Sequence, residues 1–146
     1  MGTENHHLAV IDTKSSPVWR VRHDNKIKGP VKNGTTHSIR SIAWGPQFIA
    51  IGGTGNAVSI LLPVEPYPVL HTIKKTGFVG SLSWKLGSNV LVIGSRLEKA
   101  MIVLIKASDS GTPGGLPNVE SEVLYEIGCK NWVNCVAFSP GGTWLA

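Results

Sequence analysis

Three six-residue segments of this chain repeat one pattern. Ile39-Arg40-Ser41-Ile42-Ala43-Trp44, Val79-Gly80-Ser81-Leu82-Ser83-Trp84 and Val133-Asn134-Cys135-Val136-Ala137-Phe138 each read apolar, any, small or polar, apolar, small, aromatic. Their aromatic residues stand 40 and 54 positions apart. Self-similarity at such a period constrains a fold more than any single motif does. Each unit is one supersecondary structure that buries its apolar face only by stacking on its neighbours. A Gly or Pro turn follows each aromatic residue, and Gly52 then follows Ala50 by two positions as Gly94 follows Val92. Small residues at Ala43, Ser83, Ala137, Gly52 and Gly94 are expected where neighbouring sheets crowd together.

The rest of the chain reads as strands. Helical periodicity is nearly absent, and short β-branched or aromatic runs recur. They cover Leu8–Ile11, Val18–Arg22, Ile39–Trp44, Phe48–Ile51, Val58–Leu62, Val69–Ile73, Phe78–Trp84, Val90–Ile93, Met101–Ile105, Glu122–Ile127 and Trp132–Phe138. Gly, Pro, Asn and Ser separate them, which is the punctuation of an all-β meander. His23-Asp24-Asn25 is expected to end the second run, and Ala107–Val119 to form a long Gly/Pro-rich loop. With 42% apolar and 16% charged residues, the composition excludes a coiled coil, a collagen-like chain and a disordered tail. No apolar run reaches the length of a membrane span, and residues 1–7, which lack a basic region and an apolar core, are not expected to act as a secretory signal. Cys129 and Cys135 are too few for a disulfide framework, and their spacing fits no common zinc pattern. A soluble intracellular protein, of cytoplasm or nucleus, is therefore expected.

A unit of about 40–45 residues with four short strands is the mark of a propeller blade, and the pattern resembles the WD40 repeat family. The run from Val133 to Ala146, with Ser139-Pro140-Gly141-Gly142, is similar to that family's first strand, its turn and the opening of its second strand. Gly34 and Gly128 fall where the family carries Gly-His, and Ile11-Asp12 where its Trp-Asp dipeptide ends a third strand. The Gly-His histidine is replaced by Thr35, Lys75 and Cys129, and Trp-Asp by Leu61-Leu62 and Ile105-Lys106. The family's hydrogen-bonded tetrad is thus incomplete, and the blades are expected to be held by apolar packing alone. Another β-repeat or a β-sandwich is the alternative.

The resemblance implies an all-β chain of WD40-like β-propeller blades of four antiparallel strands, incomplete at about two to three blades. Residues 1–33 would hold third and fourth strands plus a basic linker, 34–75 one blade, and 76–128 a second with an insertion at 107–119. Residues 129–146 would start a further, truncated blade. Ala146 falls inside an expected strand, so a fragment is expected, a truncated gene model being preferred to a sheet completed by a partner.

Motifs for chemistry are thin. Gly52-Gly53-Thr54-Gly55 is followed by a strand-like run and reads as a hairpin turn, not a phosphate loop. His6, His7, His23, His37 and His71 lack metal-site spacing, the nine acids are scattered, and no Ser sits in a Gly-x-Ser-x-Gly elbow. Cys135 is expected as a small hydrophobe in a buried strand. No catalytic residue, cofactor, metal or small-molecule substrate is expected. Trp19, Trp44, Trp84, Trp132 and Trp144 read as core between blades, with Trp132 set apart because it precedes its strand and could reach a propeller face.

By resemblance, the chain is expected to be a non-catalytic scaffold for protein-protein interaction, its partners other proteins or peptides. The contact residues would be Trp132, Lys130, Asn131, Lys74, Lys75 and His37, in the loops before each first strand. The alternative is a basic module binding nucleic acid or acidic lipid through residues 14–40. There Arg20, Arg22, Lys26, Lys28 and Lys32 lie in a stretch whose one acid is Asp24, in a chain of net charge +5. Binding of that kind falls steeply with added salt.

Overall fold

The computed structural model describes residues 7–12, 20–26 and 38–146, and the chain divides into two compact units, Met1–Ser38 and Ile39–Ala146. In the first, β1 (His7–Asp12) and β2 (Arg20–Lys26) pair antiparallel, with an irregularity between Val10 and Ile11. β2 runs through His23-Asp24-Asn25, where an end was expected, because the backbone ladder to β1 continues whatever the polarity of the side chains. Arg20, Arg22 and Lys26 lie on β2; Trp19, Lys28, Lys32, Gly34, Thr35 and His37 lie outside the described residues.

The second unit holds two four-stranded antiparallel sheets. One is β3 (Ile39–Trp44), β4 (Ile49–Gly53), β5 (Ala57–Leu61) and β6 (Val69–Lys74), in that spatial order. The other is β7 (Val79–Trp84), β8 (Val90–Ser95), β9 (Lys99–Ser108) and β10 (Asn118–Gly128), also a simple meander. No helix occurs among the described residues. Gly52-Gly53-Thr54-Gly55 spans the end of β4 and the turn into β5, as its residue types require.

β9 and β10 outrun their apolar stretches. Their ladder extends from Asn118 opposite Ser108 to Gly128 opposite Lys99, so the expected loop at Ala107–Val119 shrinks to residues 109–117. Polar residues pair well on a wet edge strand: Lys99 bonds Glu126 at 2.8 Å, and Lys106 pairs with Glu122. That hydrogen bond, then the charge of Glu122, holds the Lys106 ammonium above its ordinary pKa. Pairs so exposed contribute little to stability.

Strand alternation divides the core. On β8, Leu91 and Ile93 join Val58, Ile60, Val79, Met101 and Val103 in one cluster between the two sheets. Val92, on the other face, joins Ala100 and Val136, with Val133, Phe138 and Leu145 packed against them. Crowding is tightest at the glycines. A Cβ on Gly52 would stand 2.6 Å from Val79 Cγ1, and one on Gly94 would stand 3.0 Å from Val133 Cγ1.

The third copy of the repeated motif departs from expectation. Residues 133–138 form no strand; Phe138 makes an isolated bridge to Leu145, and Ala137 and Ala146 exchange backbone hydrogen bonds of 2.9 and 3.0 Å. The segment is pinned instead across β7 and β8. The Val133 N–H donates to Ser95 O at 3.0 Å. Ser81 Oγ accepts from the Val136 N–H at 3.1 Å and donates to Val136 O at 3.3 Å, and Ser83 Oγ accepts from the Phe138 N–H at 3.1 Å. Val133 and Val136 take up the space over Gly94, which leaves Cys135 exposed and not buried as expected.

Apolar packing is therefore not alone in holding the sheets together. Besides Ser81 and Ser83, the Trp84 indole N–H donates to Ala43 O at 3.0 Å while its ring lies over Gly45 and 6.5 Å from Phe48. Two other tryptophans correct the expectation of a core role, Trp44 being 56% exposed and Trp144 76%, while Trp132, set apart from the core, is 52% exposed. Trp84→Phe keeps the ring packing and strands the Ala43 carbonyl, so a loss of about 1 kcal/mol is expected. Urea unfolding checks it; an unshifted midpoint would remove the indole bond from the account.

Candidate functional site

Strand register gathers four connections at one end of the two sheets. Ile39 faces Gly53, Ala57 faces Lys74, Val79 faces Ser95, and Lys99 faces Gly128. The turns at 54–56, 75–78 and 96–98 and the segment 129–132 therefore lie together. Asn56 and Lys75 take left-handed backbone at φ 53° and 61°, and Gly77 does so at 70°. Asn56 Oδ1 accepts the Gly77 N–H at 2.7 Å and ties the first two turns. The Cys129 N–H donates to Glu98 O at 2.7 Å and ties the last two.

These bonds align three side chains. The Arg96 N–H donates to Phe78 O at 2.9 Å, so residues 78 and 96 lie opposite each other one step beyond β7 and β8. Val133, anchored to Ser95, brings Trp132 beside Arg96. The guanidinium Cζ sits 4.0 Å from the centre of the Phe78 ring and 4.4 Å from that of Trp132. Arg40 Cζ lies 6.0 Å from the Phe78 ring, so cation and aromatic alternate along a ladder of four residues. Cation–π contacts thus hold the Arg96 guanidinium against two rings. Its N–H edge makes no hydrogen bond or ion pair with the described residues, and the residue is exposed.

The end is also the basic end. Arg40, Lys74, Lys75, Arg96 and Lys130 have no ion pair among the described residues, and Glu98 is the one acid there without a basic partner. Glu65, Asp109, Glu120 and Glu122 lie toward the opposite end, with Lys85 and Lys106. The unit thus carries a dipolar charge distribution along its strands.

Of the expected contact residues, Lys74, Lys75, Lys130, Asn131 and Trp132 all lie at this end and are exposed. No hydrogen bond, ion pair or ring contact joins the three lysines to Trp132. Asn131 shapes the turn, its Oδ1 accepting the Trp132 N–H at 2.8 Å. Phe78 closes the expected contact segment Lys74 to Phe78 and Arg40 ends the basic stretch 14–40, though neither was singled out as a contact residue; Arg96 was missed. The signal was present for the rings, since Phe78 and Trp132 both stand immediately before the first apolar residue of a repeated motif. Nothing local pointed to Arg96.

Among the described residues no group of three or more His, Cys, Asp or Glu side chains is placed to hold a metal ion. No helix there is long and apolar enough to cross a membrane.

The chain is similar in structure to the RRP9 WD40 repeats, with a TM-score of 0.58 and 16% identity over 74% of this chain and 34% of that one. It is likewise similar to a chain in the crystal structure of the mitotic checkpoint complex, with a TM-score of 0.58 and 19% identity over 78% of this chain and 34% of the other. No family model matches the sequence, and no curated protein matches it. The chain spans about a third of the length of these two solved chains. Its fold is that of WD40 propeller blades.

Proposed function

We propose that this chain, built as blades of the WD40 propeller fold, is a non-catalytic scaffold that contacts another protein through its basic, aromatic end. The observation carrying this reading is the exposed Arg96, whose guanidinium lies over the rings of both Phe78 and Trp132. Exposed Trp and Arg are the residue types that dominate binding energy at protein interfaces. Loops on a rigid sheet scaffold carry recognition because the sheets fix their geometry. One of the two similar structures is itself a multiprotein assembly, the mitotic checkpoint complex, which supports a scaffold role. Two cysteines, too few for a disulfide framework, agree with a reducing compartment inside the cell.

Two sets of variants in cells test the proposal. Arg96→Glu with Trp132→Ala alters the basic end; Leu86→Ser with Trp144→Ser alters exposed residues at the other. After cross-linking, partner recovery should fall by about tenfold or more for the first pair and stay near wild type for the second. Loss with the second pair and retention with the first would place the contact surface elsewhere.

A further inference from the structure

The geometry points to a ligand class for this end: we infer that it receives an acidic segment of a partner protein, with carboxylates meeting the N–H edge of Arg96. This rests on the reading of the same end as the contact surface. Three observations carry it together. First, the guanidinium is held in advance. It lies over two aromatic rings, at 4.0 Å from Phe78 and 4.4 Å from Trp132, so part of the side-chain freedom that an arginine ordinarily loses on binding is already lost. The exposed residue keeps its fork of N–H donors free for a ligand. A planar fork of that kind matches a carboxylate two bonds at a time.

Second, the surrounding charge is one-sided. Lys74, Lys75, Lys130 and Arg40 share the end and are committed to no carboxylate among the described residues, whereas Lys99 is neutralised by Glu126. Free cations around a stacked arginine raise the local concentration of an anionic segment and speed its encounter.

Third, both rings are already engaged by arginine. Single-stranded nucleic acid is held by aromatic rings whose faces accept bases. Phe78 has Arg96 at 4.0 Å and Arg40 at 6.0 Å, and Trp132 gives a face to Arg96. The rings serve the arginine, and the arginine edge serves the ligand. That arrangement favours a peptide bearing carboxylates over a strand of bases.

Fluorescence anisotropy of the 146-residue chain tests the assignment with two labelled probes of equal formal charge, a Glu/Gly peptide and oligo-dT. The Glu/Gly peptide should bind the more tightly of the two. Arg96→Ala should weaken it about tenfold or more. Arg96→Lys should recover little of that loss, because an ammonium neither stacks as a plane nor offers a fork. Lys85→Ala, at the opposite end, should leave binding unchanged, and circular dichroism verifies the fold of each variant. Tighter binding of oligo-dT, or equal peptide affinity in Arg96→Ala and wild type, would overturn the inference. If partner cross-linking still depends on Arg96 and Trp132 while the Glu/Gly peptide fails to bind, the contact surface stands and its acidic ligand does not. If neither depends on them, both readings fall.

Discussion

Leu91→Ala should destabilise the chain by about 3 kcal/mol, within the roughly 2–5 kcal/mol range for truncating a buried leucine. Leu91 has no exposed surface and lies on β8 between Trp84 on β7 and Val103 on β9. Its side chain belongs to the cluster that includes Val58 and Ile60 of the first sheet and Met101 and Val103 of the second. Truncation therefore removes apolar contacts from both sheets at once and leaves a cavity walled by strands that ladders hold in place. A single-domain stability is typically about 5–15 kcal/mol, so the loss would be a large share of the whole. Urea unfolding should show a lower midpoint with the slope preserved. Leu86→Ala, at a residue 72% exposed, should change stability by no more than about 0.5 kcal/mol. Equal shifts for the two variants would mean that the sheets do not share one core.

Gly52→Ala should be nearly as damaging by the opposite route. Its new methyl would stand 2.6 Å from Val79 Cγ1 and 2.9 Å from Val79 Cβ, and Val79 is itself fully buried on β7. Neither strand can retreat without disturbing its own ladder, so overpacking should cost about 1–3 kcal/mol. Val79→Ala in the same chain removes the nearer of the two clashing atoms. The double variant should then be less destabilised than the sum of the singles by about 1 kcal/mol or more, a coupling expected only for groups in contact. Additive effects would contradict the account in which Gly52 exists to admit Val79. Gly94, with Val133 Cγ1 at 3.0 Å, occupies the equivalent place one sheet later, and its replacement by alanine should cost less.

Arg96 belongs to a different scale. Its stacking contributes about 0.5–1 kcal/mol at an exposed site, so its substitution should register in binding and hardly in stability. Core and rim are thereby separable by experiment.

The repeated motif determined most of the architecture from sequence alone. Apolar alternation, Gly/Pro/Asn turns and the absence of helical period are local properties, set by each residue's stereochemistry and its near neighbours. They were enough for an all-β meander with small residues where sheets crowd, as Gly52 and Gly94 demonstrate. Tertiary structure alone decided what each residue meets across a gap in sequence. A strand needs a paired backbone, and residues 133–138, the third motif copy, find among the described residues mainly Leu145 and Ala146 as ladder partners and the hydroxyls of Ser81 and Ser83 in place of a sheet. Trp44 and Trp144 carry the same ring as Trp84, yet Trp84 is the one that covers Gly45 and reaches the Ala43 carbonyl. Arg96 lies 18 residues from Phe78 and 36 from Trp132, and no periodicity of strands encodes their stacking. Local geometry specifies which backbone shapes are allowed; contacts between distant residues depend on how the sheets stack, and the candidate site is made of such contacts.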